Sequence, residues 1–132
     1  MRPHRGGGQS LVESALVFPM LILLSLGVIQ VMLYAHARDV LSSAAQEGAR
    51  LAAEDGRGAD EGISRAQDLV SAGLGTSIEP VLVHISVTPD LVDLRIDSEL
   101  RPILPLPVAG GLPLHAEARV AAERFRPAGG SA

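Results

Sequence analysis

The stretch from Ala15 to Ala35, ALVFPMLILLSLGVIQVMLYA, decides the architecture of this chain. Its 21 residues are interrupted only by Pro19, Ser25, Gly27 and Gln30, and no Asp, Glu, Lys or Arg falls between Ser14 and Ala37. As a helix it measures about 31 Å, close to the thickness of a bilayer's hydrocarbon layer. A soluble core helix would carry a polar residue every three or four positions, and this stretch does not. It reads as a membrane span. Pro19 deletes the backbone hydrogen bond to the Ala15 carbonyl, so a kink is expected there. Tyr34 lies near the far end, where an amphipathic ring suits the membrane interface.

The flanks suggest an orientation. Arg2, His4 and Arg5 precede the span with no acid among the first eight residues, whereas Arg38 and Asp39 after it cancel. The positive-inside bias then puts the N-terminus in the cytoplasm and the residues after the span outside. No second apolar run is long enough to return. A removable secretory signal is the alternative, with Ala35-His36-Ala37 as a small-x-small cleavage triplet. Its apolar region would exceed the usual ~7–15 residues, and a proline sits early within it.

Composition narrows the rest. The 132 residues suffice for one small domain. There is no Cys, which excludes a disulfide framework, thiol catalysis and zinc-finger spacing. A net charge of -4 without a basic cluster argues against nucleic acid as a partner. Apolar residues make up 47% of the chain, too many for disorder throughout, yet aromatics make up only 2%. Any core outside the span is therefore built from aliphatic side chains.

Between the basic leader and the span the chain reads Gly6-Gly7-Gly8-Gln9-Ser10-Leu11-Val12-Glu13-Ser14. A glycine run enters a protease cleft in extended form at little steric cost. A carboxylate on the threshold of a span is a functional hypothesis by default, since it would cost ~3 kcal/mol at a membrane helix's centre. The plainer alternative is a flexible tail followed by an acid that favours the helix dipole.

This junction resembles the class III prepilin signal of type IV-like pilins and pseudopilins, with cleavage after Gly and a Glu at the fifth mature position. Cutting between Gly8 and Gln9 puts Glu13 at that position. Gly8 to Pro19 and the Leu-rich run after it look like the start of the TadE-like family. Ala44-Ala45-Gln46-Glu47-Gly48-Ala49-Arg50 is similar to the close of that family's N-terminal module. The resemblance covers about residues 6–53. It departs at Ser14, where the founding pseudopilins carry Tyr.

The resemblance implies a minor pseudopilin of a tight-adherence, Flp-type pilus assembly or secretion system. Gly8 and Gln9 would flank the bond cut by a prepilin peptidase, and Glu13 would serve assembly by pairing with a neighbouring subunit's new amino terminus. Implied partners are the membrane, other pseudopilins, the major Flp pilin and the inner-membrane assembly platform, in a hetero-oligomer. The runner-up is an unprocessed single-pass membrane protein whose head binds a ligand or scaffolds an envelope complex.

No helix breaker separates the span from Ala53, so the helix is expected to continue. Val40, Ala44, Gly48, Leu51 and Ala52 then form a small-residue stripe, with Leu41 and Ala45 beside it. The stripe would pack under the protein's own head or against another subunit. Glu47 with Arg50, and Arg50 with Glu54, are spaced for surface ion pairs. Asp55-Gly56-Arg57-Gly58 ends the helix.

Asp60 to Leu74 has helical spacing, with Asp60 or Ser64 near its start. Val81, Val83, Ile85 and Val87 alternate as a strand, Thr88-Pro89-Asp90 is turn chemistry, and Val92 to Leu100 alternates again, which predicts a hairpin. Asp93, Asp97 and Glu99 read as a solvated face that discourages edge pairing. Pro102, Pro105, Pro107 and Pro113 with Gly110-Gly111 exclude regular structure over residues 101–113. Residues 114–124 read as a third strand, although their alanines also permit a helix.

The expected fold class is α+β, with a long transmembrane helix leading into one short helix and a three-stranded antiparallel sheet. The divisions are a leader (1–8), an extended helix (9–54), an extracytoplasmic head (55–126) and a disordered tail (127–132). His4, His36, His84 and His115 show no i,i+4 pair, and no nucleophile elbow, phosphate loop or dinucleotide fingerprint occurs. The expectation is no enzyme, no metal and no cofactor, in an inner-membrane protein at or near the base of a pilus.

Overall fold

A computed structural model describes residues 7–54, 57–104 and 110–122. The expected leader, apart from Gly7 and Gly8, and the expected tail with Phe125 lie outside the described residues. Helix α1 runs from Gly7 to Ala53 without interruption at Pro19, 47 residues in all. At 1.5 Å per residue that is about 70 Å. Within the apolar stretch the Ser25 hydroxyl donates to the Leu21 carbonyl at 2.8 Å, which satisfies it without water.

Helix α2 spans Ala59–Leu74 and folds back against the end of α1. Its N-cap is Gly58, and neither Asp60 nor Ser64 caps it; Asp60 and Glu61 lie in the first turn, where acids suit the helix dipole. At its other end Gly75 adopts φ +52, and its N–H caps the Ser71 carbonyl. A short 3-10 turn, Gly75–Ser77, follows; no periodicity in the sequence marked it.

Three strands complete the fold: β1 Leu82–Val87, β2 Leu91–Leu100 and β3 Leu112–Ala121. They form one antiparallel sheet in the order β1-β2-β3. The β1–β2 turn closes as its residues predict, with the Leu91 N–H donating to Thr88 Oγ1 and the Thr88 N–H to the Leu91 carbonyl. Residues 114–121 are strand, and β3 starts two residues earlier than the prolines suggested, with Pro113 on the sheet's outer edge. A proline is acceptable on an edge strand because its missing N–H need not serve a ladder. The fold class is α+β.

One face of the sheet packs on the helices. Val92, Leu94, Ile96 and Leu100 of β2 and Leu114, Ala116 and Ala118 of β3 are buried against Leu41, Ala44, Ala45, Ala49, Ala52, Ala66 and Val70. The small-residue stripe of α1 therefore lies under the chain's own head. Val87 departs from the expected inward set and is half exposed at the hairpin end.

Ser98 also faces this core, and its hydroxyl has no partner among the described residues. A buried unpaired hydroxyl carries a desolvation cost. Ser98→Ala is expected to leave stability unchanged or raise it by ~1 kcal/mol; a lower melting midpoint would show that the hydroxyl is paired in solution.

The opposite face is charged and wet, and it corrects the edge reading of its acids. The strand carrying Asp93, Asp97 and Glu99 is central, flanked by partners on both sides. Its acids meet cross-strand and same-strand cations instead: Asp93 lies 2.9 Å from Arg119, and Asp97 lies 3.0 Å from Arg95. These carboxylates push both guanidinium pKa values further up, chiefly through the hydrogen bonds to Asp97 and Asp93 respectively. Both arginines thus stay charged throughout the physiological range, and it takes strongly alkaline pH to remove their side of the pairing. The expected Glu47–Arg50 and Arg50–Glu54 pairs are not among those of the described residues. Glu47 reaches toward Arg65 of α2 at 3.9 Å, and Glu54 pairs with Arg57 at 2.9 Å. Docking of α2 offers both acids a cation outside their own helix.

Candidate functional site

Two regions of α1 have different surroundings. From Ser10 to Leu24 every residue is exposed, Leu11, Leu16, Phe18, Met20 and Leu23 among them. From Gln30 onward one face is progressively covered, through Tyr34, Ala37, Leu41, Ala44 and Ala45 to Ala52. Among the described residues α1 is the one helix long and apolar enough to cross a membrane, and its most apolar part is almost wholly unburied in the protein. A soluble core helix of that composition would be covered.

Of the proposed processing and assembly residues, Gly8 and Glu13 lie on the uncovered part. Gly8 is exposed and already helical, since α1 begins at Gly7, so the glycine run is not extended over its last two residues. Glycines in a helix's first turn lack internal hydrogen bonds to their N–H groups and carry poor helix propensity, so unwinding costs little. Glu13 faces a shallow groove on the helix surface with Ser10, Ser14, Val17, Phe18 and Leu21. Among the described residues it makes no ion pair, and its neighbours in the groove all belong to α1. Pro19 continues the helix between Phe18 and Met20. The structure thus leaves Glu13 on an uncovered face of α1, beside two serines and the apolar side chains of Val17, Phe18 and Leu21. That arrangement can offer a carboxylate to a cation on another chain in low dielectric, where attraction is strong only when both charges are desolvated.

Four residues that hold the head to α1 went unnoticed as a group in the sequence. Gln30 accepts a 2.7 Å hydrogen bond from the Ile103 N–H at Oε1, and the Tyr34 hydroxyl donates to the Pro113 carbonyl at 3.2 Å. Higher up, Gly48 of α1 and Gly62 of α2 meet backbone to backbone. A Cβ at either position would sit 2.7 Å from the other's carbonyl oxygen. Gln30 did leave a signal: it is the one amide in the apolar stretch, and it is in phase with Tyr34, Ala37 and Leu41 at i+4, i+7 and i+11.

Among the described residues no cluster of three or more His, Asp or Glu side chains could hold a metal. His115 lies 3.8 Å from Asp97 on the exposed sheet face, apart from His84 and His36.

No curated protein and no solved structure matches the chain. A family model described as TadE-like protein matches residues 8–50. The matched segment begins at the glycine junction, includes the uncovered helix with Glu13, and ends just past Gly48, where α2 docks. It supports a component associated with a tight-adherence pilus, carried by a single apolar helix. Over residues 8–50, about a third of its length, the chain is similar to TadE-like protein.

Proposed function

We propose that the chain is a minor pseudopilin that serves assembly of a tight-adherence, Flp-type pilus or a related secretion system. The observation that carries this reading is the TadE-like segment at residues 8–50, whose N-terminal half is left bare while its C-terminal half carries the head. In this account α1 spans the inner membrane with its N-terminus in the cytoplasm and the head outside. A prepilin peptidase cuts between Gly8 and Gln9. The new amino group of one subunit then pairs with Glu13 of another, and partners are related pseudopilins, the major pilin and the assembly platform.

An uncovered carboxylate on an apolar helix supports this pairing, because alone in hydrocarbon it would be costly. Glu13→Ala is therefore expected to abolish co-purification with pseudopilin partners while the chain still sediments with membranes. Unchanged co-purification would count against the pairing. For the function itself, deletion of the gene followed by imaging of surface pili is the test. Loss of pili restored by the full-length chain supports the proposal. Normal piliation favours an unprocessed membrane anchor carrying a scaffold head, a reading to which Ser14 in place of Tyr lends some weight.

A further inference from the structure

Ile103, in the β2–β3 connection, lies against α1 at a level occupied by exposed apolar residues. Its N–H reaches Gln30, inside the apolar stretch and two turns before Arg38, the first charge after it. On the other faces of α1 at this height, Val31 and Met32 remain 68% and 66% exposed, and Leu33 40%. No part of the head covers them. In a membrane protein such residues are covered by hydrocarbon, so the bilayer must extend at least to Leu33. Ile103 lies at the same height and is itself 50% exposed. We infer that the segment 102–104 dips into the head-side leaflet and forms a second contact with lipid acyl chains, beside the helix. This inference rests on the reading of α1 as a membrane span.

Three features fit irregular backbone at that depth. From Pro102 to Leu114 the sequence has no charged residue. Pro102 brings no backbone N–H that would need a partner in hydrocarbon. The N–H of Ile103 does need one, and Gln30 supplies it. Irregular backbone is tolerated at membrane depth where protein satisfies its polar groups. This explains an amide in the span: Gln30, only 8% exposed, serves as the loop's acceptor. Tyr34 repeats the arrangement one turn higher through the Pro113 carbonyl.

The chain has no Trp, so a single introduced Trp reports one position. The full-length chain is reconstituted into phosphatidylcholine–phosphatidylglycerol vesicles containing acyl-chain-brominated lipid. Three variants are compared: Ile103→Trp, Val31→Trp on the helix and Ser86→Trp on the exposed sheet face. The expected result is a blue-shifted emission and loss of most intensity for Ile103→Trp, matching Val31→Trp, with Ser86→Trp unquenched. Water-like, unquenched emission from Ile103→Trp beside a quenched Val31→Trp overturns the inference and leaves the span intact. Loss of quenching at both positions overturns the span and the inference together. Should the indole disturb the loop, Ile103→Cys carrying a nitroxide replaces it, since the chain has no other Cys. Greater accessibility to oxygen than to a water-soluble nickel chelate is then expected, and the reverse order refutes lipid contact.

Discussion

A fragment beginning near Asp55 will not fold on its own, whereas one beginning near Arg38 will show a cooperative thermal transition. The shorter fragment lacks Leu41, Ala44, Ala45, Ala49, Ala52 and Ala53, all buried in the core that the sheet and α2 share. Truncating a single buried Leu costs ~2–5 kcal/mol, and the net stability of a small domain is only ~5–15 kcal/mol. Removing a whole helical wall exceeds that margin. The exposed inner face of β2, with Val92, Leu94 and Ile96, would then promote aggregation. Circular dichroism melts of the two fragments check this. Equal midpoints would mean that the sheet and α2 form a self-sufficient core. The Arg38 fragment should still melt below the full-length chain, because it loses Tyr34, Ala37 and the Gln30 acceptor.

Gly48→Ala is the second change with a large expected effect. A methyl at position 48 would sit 2.7 Å from the Gly62 carbonyl oxygen, 2.9 Å from Leu94 Cδ1 and 3.0 Å from Ala66 Cβ. Two of those neighbours are a helix backbone and a side chain with no freedom to turn aside, so the helices must separate. Overpacking of this kind costs ~1–3 kcal/mol, against a helix-propensity gain of ~1 kcal/mol for replacing Gly with Ala. Gly48→Val adds bulk without that gain and should lower the melting midpoint further, by roughly 5 °C or more for a head of this size. Gly27→Ala is the matched control, since a Cβ there meets nothing within 4 Å. It should leave the midpoint unchanged or raise it. A Gly48→Ala variant as stable as Gly27→Ala would contradict the close crossing of α1 and α2.

The parts of this fold legible in the sequence are those written as a period. Twenty-one residues without a charge announce a span, Ile63 to Leu74 repeats at helical spacing, and Val81 to Leu100 alternates on both sides of Thr88-Pro89-Asp90. The parts not legible depend on which elements become neighbours. Asp93 and Asp97 alternate as well on a central strand as on an edge, and only the placement of Arg119 on β3 reveals that Asp93 is paired across strands. Gly48 reads as one small residue in a stripe of alanines until α2 folds back with Gly62 opposite it. Gln30 reads as a tolerated impurity in a span until a loop 73 positions later supplies the N–H it accepts.

The candidate site was legible in a different way. Gly8, Gln9 and Glu13 stand out because a glycine run and an acid precede a hydrophobic helix, an arrangement that folding alone does not require. The fold adds that no described residue of the head pairs with Glu13, so any partner for it must come from another chain or from residues outside those described. That division runs along α1: its covered half is explained by the head, and its bare half is left for the membrane and the neighbouring subunits that we propose.

N-terminal sequencing of the chain extracted from membranes bears most directly on its role as a matured pseudopilin. In cells that carry a prepilin peptidase, the account predicts a mature chain beginning at Gln9, with Glu13 fifth from the new terminus. A mature chain beginning at Met1 or Arg2 would contradict it.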